Sequence, residues 1–327
     1  MDRRSFLRHV GGGATLVALH GSSVAPGFAQ DRYPSRAVTI VNPFAPGSIS
    51  DAAARLIAQY LQDGFGQPFI IENKVGAGGL LAATTVQRAA PDGYTLLLTA
   101  SSAFSGAALY KSLPFDPVKD FRHIARIGSF PSFLAANPSL PVGSVAELVA
   151  YAKVNPGKLS YGHGNNMGQI VGESFKKRTG ADIVRVAYRS NPAAVTDLIA
   201  GHIQLMVPDL NTGLSHVQGK RIRALAVFTR ERSPAMPDVP TLDETVMPGF
   251  ELLPWCGISG PVSLPPDIVT RLAGAVQKAL ASSDGRKRFE DAGVPVFFGG
   301  PDEFEAYVAA QLANWTTLIK EAGIQPE

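Results

Sequence analysis

The stretch Val38-Thr39-Ile40-Val41-Asn42-Pro43-Phe44-Ala45-Pro46-Gly47-Ser48-Ile49-Ser50-Asp51 constrains the fold more than any other part of the chain. Four β-branched residues make a strand, and two prolines and a glycine stop it. Ala53, Leu56, Ile57, Tyr60 and Leu61 then recur at the i, i+3, i+4 spacing of one helix face. A strand, a tight turn and a helix form half of a βαβ unit. The alternation returns at Phe69 to Glu72, before another helix pattern, and at Thr95 to Thr99, before a turn. It predicts an α/β protein with mainly parallel strands.

Prolines interrupt that rhythm twice, at Pro131, Pro138 and Pro141 and again at Pro254, Pro261, Pro265 and Pro266. These are the expected crossings between two lobes, residues 30–130 plus 255–327 and residues 131–254, with a hinge near Phe130 and Trp255. The second lobe reads as helices over Val145–Lys153, Gly168–Thr179 and Pro192–Ala200, and strands over Leu159–Tyr161, Ile183–Ala187, Ile203–Val207 and Leu225–Phe228. Two later amphipathic helices, Pro266–Ala281 and Pro301–Ala322, joined through Val294 to Phe298, are expected to return over the first lobe.

Residues 1–29 read as an export signal: a basic start (Arg3, Arg4, Arg8), a short apolar run and a small-residue cleavage signal near Ala29. Arg3-Arg4-Ser5-Phe6-Leu7-Arg8 is twin-arginine-like, although Asp2 stands where a hydroxyl residue is usual, so the ordinary secretory route stays open. The expected location is the periplasm. The segment holds three arginines and one aspartate, so little of the net charge of +3 remains beyond it. Without a basic, aromatic-interleaved patch, nucleic acid is not an expected partner. Cys256 is the only cysteine, which excludes a disulfide framework and reads as a small buried hydrophobe.

The site reading starts from strand ends. In open α/β sheets ligands sit where strands pass into helices, here Phe44 to Asp51, Ser101 to Ser105, Gly162 to Gly168, Arg189 to Pro192 and Pro208 to Thr212. Free N–H groups and the positive end of the helix dipole at Ser48, Ser50 and Asp51 suit a carboxylate or phosphate, with the serine hydroxyls as further donors. Two such lobes closing on a small acid make a binding protein, and catalytic residues, metal and cofactor are all expected to be none. No Gly-x-Ser-x-Gly turn occurs, and His123, His163, His202 and His216 have no metal-ligand spacing. An exported hydrolase is therefore the weaker alternative. Gly76-Ala77-Gly78-Gly79 lacks the third glycine of a dinucleotide loop, where Leu81 stands, and reads as tight helix-to-sheet packing.

Eight segments in order resemble the periplasmic receptors of tripartite tricarboxylate transporters, the Bug receptors. They are Tyr33-Pro34-Ser35-Arg36, Pro43-Phe44-Ala45-Pro46-Gly47 with Asp51, Glu72 to Gly79, Ala90 to Leu97, Leu113 to Phe121, Asn155 to Leu159, Arg223 to Val227 and Pro237 to Thr241. The resemblance implies a two-lobed, type II-like Venus-flytrap periplasmic binding protein. It would act as a monomer that carries a small carboxylate to integral-membrane permease subunits. A ligand-presenting receptor for a signalling system is the alternative output. Carried over, the resemblance points to Phe44, Ala45, Gly47, Ser48 and Asp51, with Ser101 and Ser102 after the third strand.

Three departures bear on the ligand. Ser48 replaces a second glycine, and Gly162 to Gln169 is a shortened loop carrying His163, Asn165 and Asn166. The acid of Leu205 to Asp209 is displaced to Asp209 by Pro208. Asn165 and Asn166, which donate and accept, are expected to favour a neutral group at the ligand's far end. Phe44 is expected as an apolar wall, with Trp255 or Cys256 on the hinge side of the cleft. A bulky residue at Gly47 is expected to occupy the seat.

Overall fold

The computed structural model describes residues 33–104 and 108–326, without the Ser102 side chain; the export signal expected over residues 1–29 lies outside the described residues. β1 (Val38–Asn42), α1 (Ile49–Phe65), β2 (Phe69–Asn73), α2 (Leu80–Gln87), β3 (Thr95–Ala100), the single turn α3 (Ser101–Phe104) and β4 (Phe121–Ser129) come first. β5 (Phe133–Ala136), α4 (Val145–Val154), β6 (Leu159–His163), α5 (Asn166–Thr179), β7 (Ile183–Ala187), α6 (Asn191–Ala200), β8 (Leu205–Met206), α7 (Leu210–Gln218) and β9 (Arg223–Val227) follow. β10 (Trp255–Pro261), α8 (Pro266–Ala281), α9 (Ser283–Asp291), β11 (Val296–Gly299) and α10 (Pro301–Glu321) come last.

Capping chemistry sets the boundaries of α1. Ser48 accepts the Asp51 N–H at its start, and Gly66 ends it in a left-handed turn at φ 72°. Ala53, Ile57 and Leu61 of its inner stripe are fully buried against β1 and α8 residues, while Leu56 and Tyr60 pack half-buried at the edge.

The strands form two sheets, ordered β11-β4-β10-β3-β1-β2 and β7-β6-β8-β5-β9. Membership changes between β4 and β5 and between β9 and β10, at the two proline-marked stretches. The crossing segments run side by side: Phe130 N–H donates to Pro254 O at 2.8 Å. Segment 130–133 also ties into the second sheet, with Phe133 N–H on Pro208 O and Leu210 N–H on Pro131 O.

The expectation of mainly parallel strands is corrected. β1 is parallel to β2 and β3, and β6 to β7 and β8, but every pairing of β10, β11 and β5 is antiparallel. β10 and β5 each arrive from the other sheet and run against both neighbours, a direction no local pattern encodes.

A second correction concerns the final helix. α10 covers both sheets: Phe304 and Val308 pack with Trp255 in one core, and Trp315, Leu318 and Ile319 lie in the core of the second sheet. α7 and α9 were not expected as helices; Pro208 and Gly213 mark a loop in α7's neighbourhood, and α9 is mostly charged.

Candidate ligand-binding site

Four helices of eight or more residues begin around one small cavity. α1 contributes Ser48, Ile49 and Ser50 from the first sheet; α5 contributes Asn165 and Met167, α6 Ser190 and Asn191, and α7 Asp209 from the second. Each follows the carboxyl end of a strand, β1, β6, β7 and β8 respectively. Ala100 and Ser101 at the end of β3, and Phe130, Ser132 and Pro254 from the crossings, complete the wall.

The cavity measures ≈ 40 Å³, roughly the room of a carboxylate group or a few waters. No lysine or arginine lines it. First-turn N–H groups have no acceptor within their own helix, so the converging helix starts supply donors and positive potential without a formal charge.

The α1 side is a braced turn. Ser50 Oγ donates to Asn42 Oδ1 (3.0 Å), which leaves the Ser48 hydroxyl as the donor in its 3.2 Å contact with Ser50. Both hydroxyl protons are therefore spent within the wall, and the backbone N–H groups are what this turn offers a ligand. Asn42 and Asn73 both donate to Phe44 O, at 3.3 and 2.8 Å, which fixes Phe44 at the cavity edge.

Asp51 stands behind the wall. It accepts from Arg55 (2.9 Å), Asn73 (3.0 Å) and the Gly47 N–H (3.1 Å). Burial acts to raise its carboxyl, but these hydrogen bonds outweigh burial and hold it below the usual range. Ala45 and Gly47 also lie outside the cavity lining, and Ala45 O accepts the Ser48 N–H. Gly47 has φ +78°, and a Cβ built there meets nothing within 4 Å. Its left-handed backbone is what favours glycine there.

The second-sheet side is held by one buried strut. Asp209, the N-cap of α7, accepts from the Thr212 N–H (2.9 Å) and hydroxyl (2.8 Å), and from Asn191 Nδ2 at 2.7 Å. Asn191 Oδ1 in turn accepts the Gly164 N–H at 3.2 Å. Three helix starts are thus locked through two side chains. Burial pushes the Asp209 carboxyl up, while Asn191 and Thr212 pull it down. Burial outweighs these hydrogen bonds, so the net shift of the Asp209 carboxyl is upward. Gly164 has to be glycine, because an added Cβ would stand 2.2 Å from the Asn191 nitrogen.

A larger chamber of ≈ 540 Å³ opens beside the seat and shares Phe44, Gly164 and Asn165 with it. Pro43, Val75 to Gly79, His163, Asn166, Tyr188 and Arg189 form the rest of its wall. His163 and Asn166 therefore belong to this outer chamber. Tyr110 links two residues of that wall, donating to Ala77 O (3.1 Å) and accepting from Asn166 (3.3 Å).

Of the expected residues, Phe44, Ser48, Ser50, Ser101, Asn165 and Asp209 meet at the inner cavity. The Ser102 side chain lies outside the described atoms. Trp255 and Cys256 are buried in the core, Trp255 edge-on to Phe304 at 5.4 Å, and their neighbour Pro254 faces the cavity. Ser190 and Asn191 were named only as part of a loop, and the Gly76 to Gly79 wall was read as packing. The carboxyl-end rule, applied to β2 as to β1, would have reached that wall. Thr99, Ser259 and His123 also form a hydrogen-bonded cluster, but it is sealed in the first sheet's core beyond the reach of a substrate.

A model of the family described as "Tripartite tricarboxylate transporter family receptor" matches residues 53–324. The protein BugT of Bordetella pertussis is 32% identical over 306 residues, covering 92% of this chain and 94% of BugT. The solved structure of Rhodopseudomonas palustris Rpa4515 with adipate superposes at a TM-score of 0.87 and 34% identity, covering 90% of this chain and 100% of that one. MatC from the same organism, with bound malate, gives 0.83 and 31%, covering 88% and 100%.

Proposed function

The chain belongs to the tripartite tricarboxylate transporter receptor family, and from that premise we propose that it binds a small carboxylate between its two sheets and delivers it to integral-membrane permease subunits. Members are solute-binding receptors of the Bug type and not enzymes, and their place is the periplasm. One carboxylate sits in the inner cavity, held by the N–H groups that open α1, α5 and α6 and by the Ser101 hydroxyl. The rest of the ligand extends past Phe44 into the outer chamber.

The observation that carries this reading is the convergence of helix starts from both sheets on a carboxylate-sized space with no cation in its wall. Rpa4515 with adipate and MatC with malate support the ligand class. Residues 33–130 with 255–326, and residues 131–254, act as two lobes in this scheme. Closure turns them about the paired segments at Phe130 and Pro254. The receptor works as a monomer, its export signal removed near Ala29.

A thermal-shift screen of mono-, di- and tricarboxylates tests the assignment. An acid at about a hundredfold its Kd adds roughly 2.7 kcal/mol of stability. Shifts confined to one acid class are expected; an unchanged melting temperature across all acids, with nothing co-purified, would refute it.

A further inference from the structure

We propose that the Tyr110 hydroxyl is a clasp between the two sides of the outer chamber, and that it sets how long a bound molecule stays, whatever that molecule's chemistry. The inference rests on the closing scheme proposed above and adds a positioning residue to it.

The two residues joined by this hydroxyl belong to different sheets. Ala77 follows β2 of the first sheet, and Asn166 opens α5 after β6 of the second. Both stand in the chamber wall, whereas Tyr110 does not line it and acts through them. One hydroxyl uses both of its hydrogen-bonding roles across the seam, as donor to Ala77 O at 3.1 Å and as acceptor from Asn166 Nδ2 at 3.3 Å. Its root sits with the second sheet, because Leu109 is buried in the core that holds Met167 and Ile170 of α5. When the sheets part, Tyr110 and Asn166 therefore move together, and the bond to Ala77 O is the one that breaks.

The seam is packed as well as bonded. A Cβ at Gly78 would stand 2.4 Å from the Tyr110 hydroxyl oxygen and 2.6 Å from Asn166 Nδ2, so the loop backbone lies directly against both. Ala77 beside it holds φ 45°, a left-handed backbone that a residue with a side chain adopts at a cost. Such a conformation persists where its surroundings hold it, and the bond from Tyr110 is one such hold. Parting the sheets lets the loop relax, and the clasp opposes that step.

Stopped-flow exchange of malate and adipate, the acids held by MatC and Rpa4515, measures the residence time on the full chain, on Tyr110→Phe and on Gly78→Ala. Small-angle X-ray scattering of the same three proteins without any acid measures closure. Tyr110→Phe removes the hydroxyl and keeps the ring, while Gly78→Ala wedges the seam. Each variant should release acid about fivefold faster or more, with association no slower. Each should also have a larger acid-free radius of gyration than the parent. A damaged seat would instead slow association and leave that radius unchanged. Equal dissociation rates in Tyr110→Phe and the parent, or equal acid-free radii, would overturn the clasp. If the parent binds neither acid, the acid-free radii alone decide the clasp, and the thermal-shift screen decides the seat.

Discussion

Asn191→Asp is the sharpest test of the strut that holds α5, α6 and α7 together. The new side chain keeps the shape and still accepts the Gly164 N–H, but it places a carboxylate oxygen where Nδ2 stood, 2.7 Å from Asp209 Oδ2. Two full charges at that distance repel by about 6 kcal/mol at an effective dielectric of ~20. Keeping one proton on the pair at pH 7, against an ordinary carboxyl pKa near 4, costs about 4 kcal/mol, so the pair keeps the proton. The variant should therefore be about 4 kcal/mol less stable than the parent at pH 7. The pair's raised pKa means the folded state binds one more proton than the unfolded chain. Stability is thus regained as pH falls, by about 1.4 kcal/mol per unit until near pH 4. Urea unfolding of both proteins at pH 7, 6 and 5 measures the difference directly. A deficit below about 1 kcal/mol at pH 7, or one that does not change with pH, would refute the role given to Asn191 and Asp209.

Two further outcomes follow from the geometry. His123 is buried, and burial, with Arg122 adding to it, brings its imidazole down to about 4. A depressed histidine pKa leaves the unfolded chain binding more protons, so stability should fall by about 3 kcal/mol as pH drops from about 6.5 to 4, and His123→Gln should flatten that slope in acid-unfolding curves. Gly47→Val forces a β-branched residue to φ +78° in open space; it should lower stability by about 1–2 kcal/mol while leaving ligand affinity within about twofold, and loss of binding with full stability would contradict the placement of Gly47 outside the seat.

Much of the site was legible because its chemistry is local. Ser48 caps α1 for a reason written within four residues, and the loops after β1, β3, β6 and β7 were named from strand ends alone. What stayed hidden depends on partners far apart in sequence. Asn191 matters through Gly164 and Asp209, which lie 27 and 18 positions away, and neither link leaves a periodic trace. Asp51 has the composition of a ligand group, yet Asn73 and Arg55 commit it to bracing the turn. The antiparallel entry of β5 and β10 was invisible for the same reason: the pattern gives each strand's length and face, and the direction of arrival comes from the crossing.

The placement of α10 has a consequence for the order in which the molecule can be completed. The strands of the second sheet span residues 133–227, all made before α10 begins at Pro301. Their core nevertheless takes Trp315, Leu318 and Ile319 from the last helix, with Arg178 bonded to Glu321 beside them. A ribosome-bound intermediate holding every strand of both sheets but stopped short of residue 315 would expose that apolar surface. The second sheet's core therefore waits on residues 315–319, which are made well after its own final strand, and is sealed only once α10 has been added.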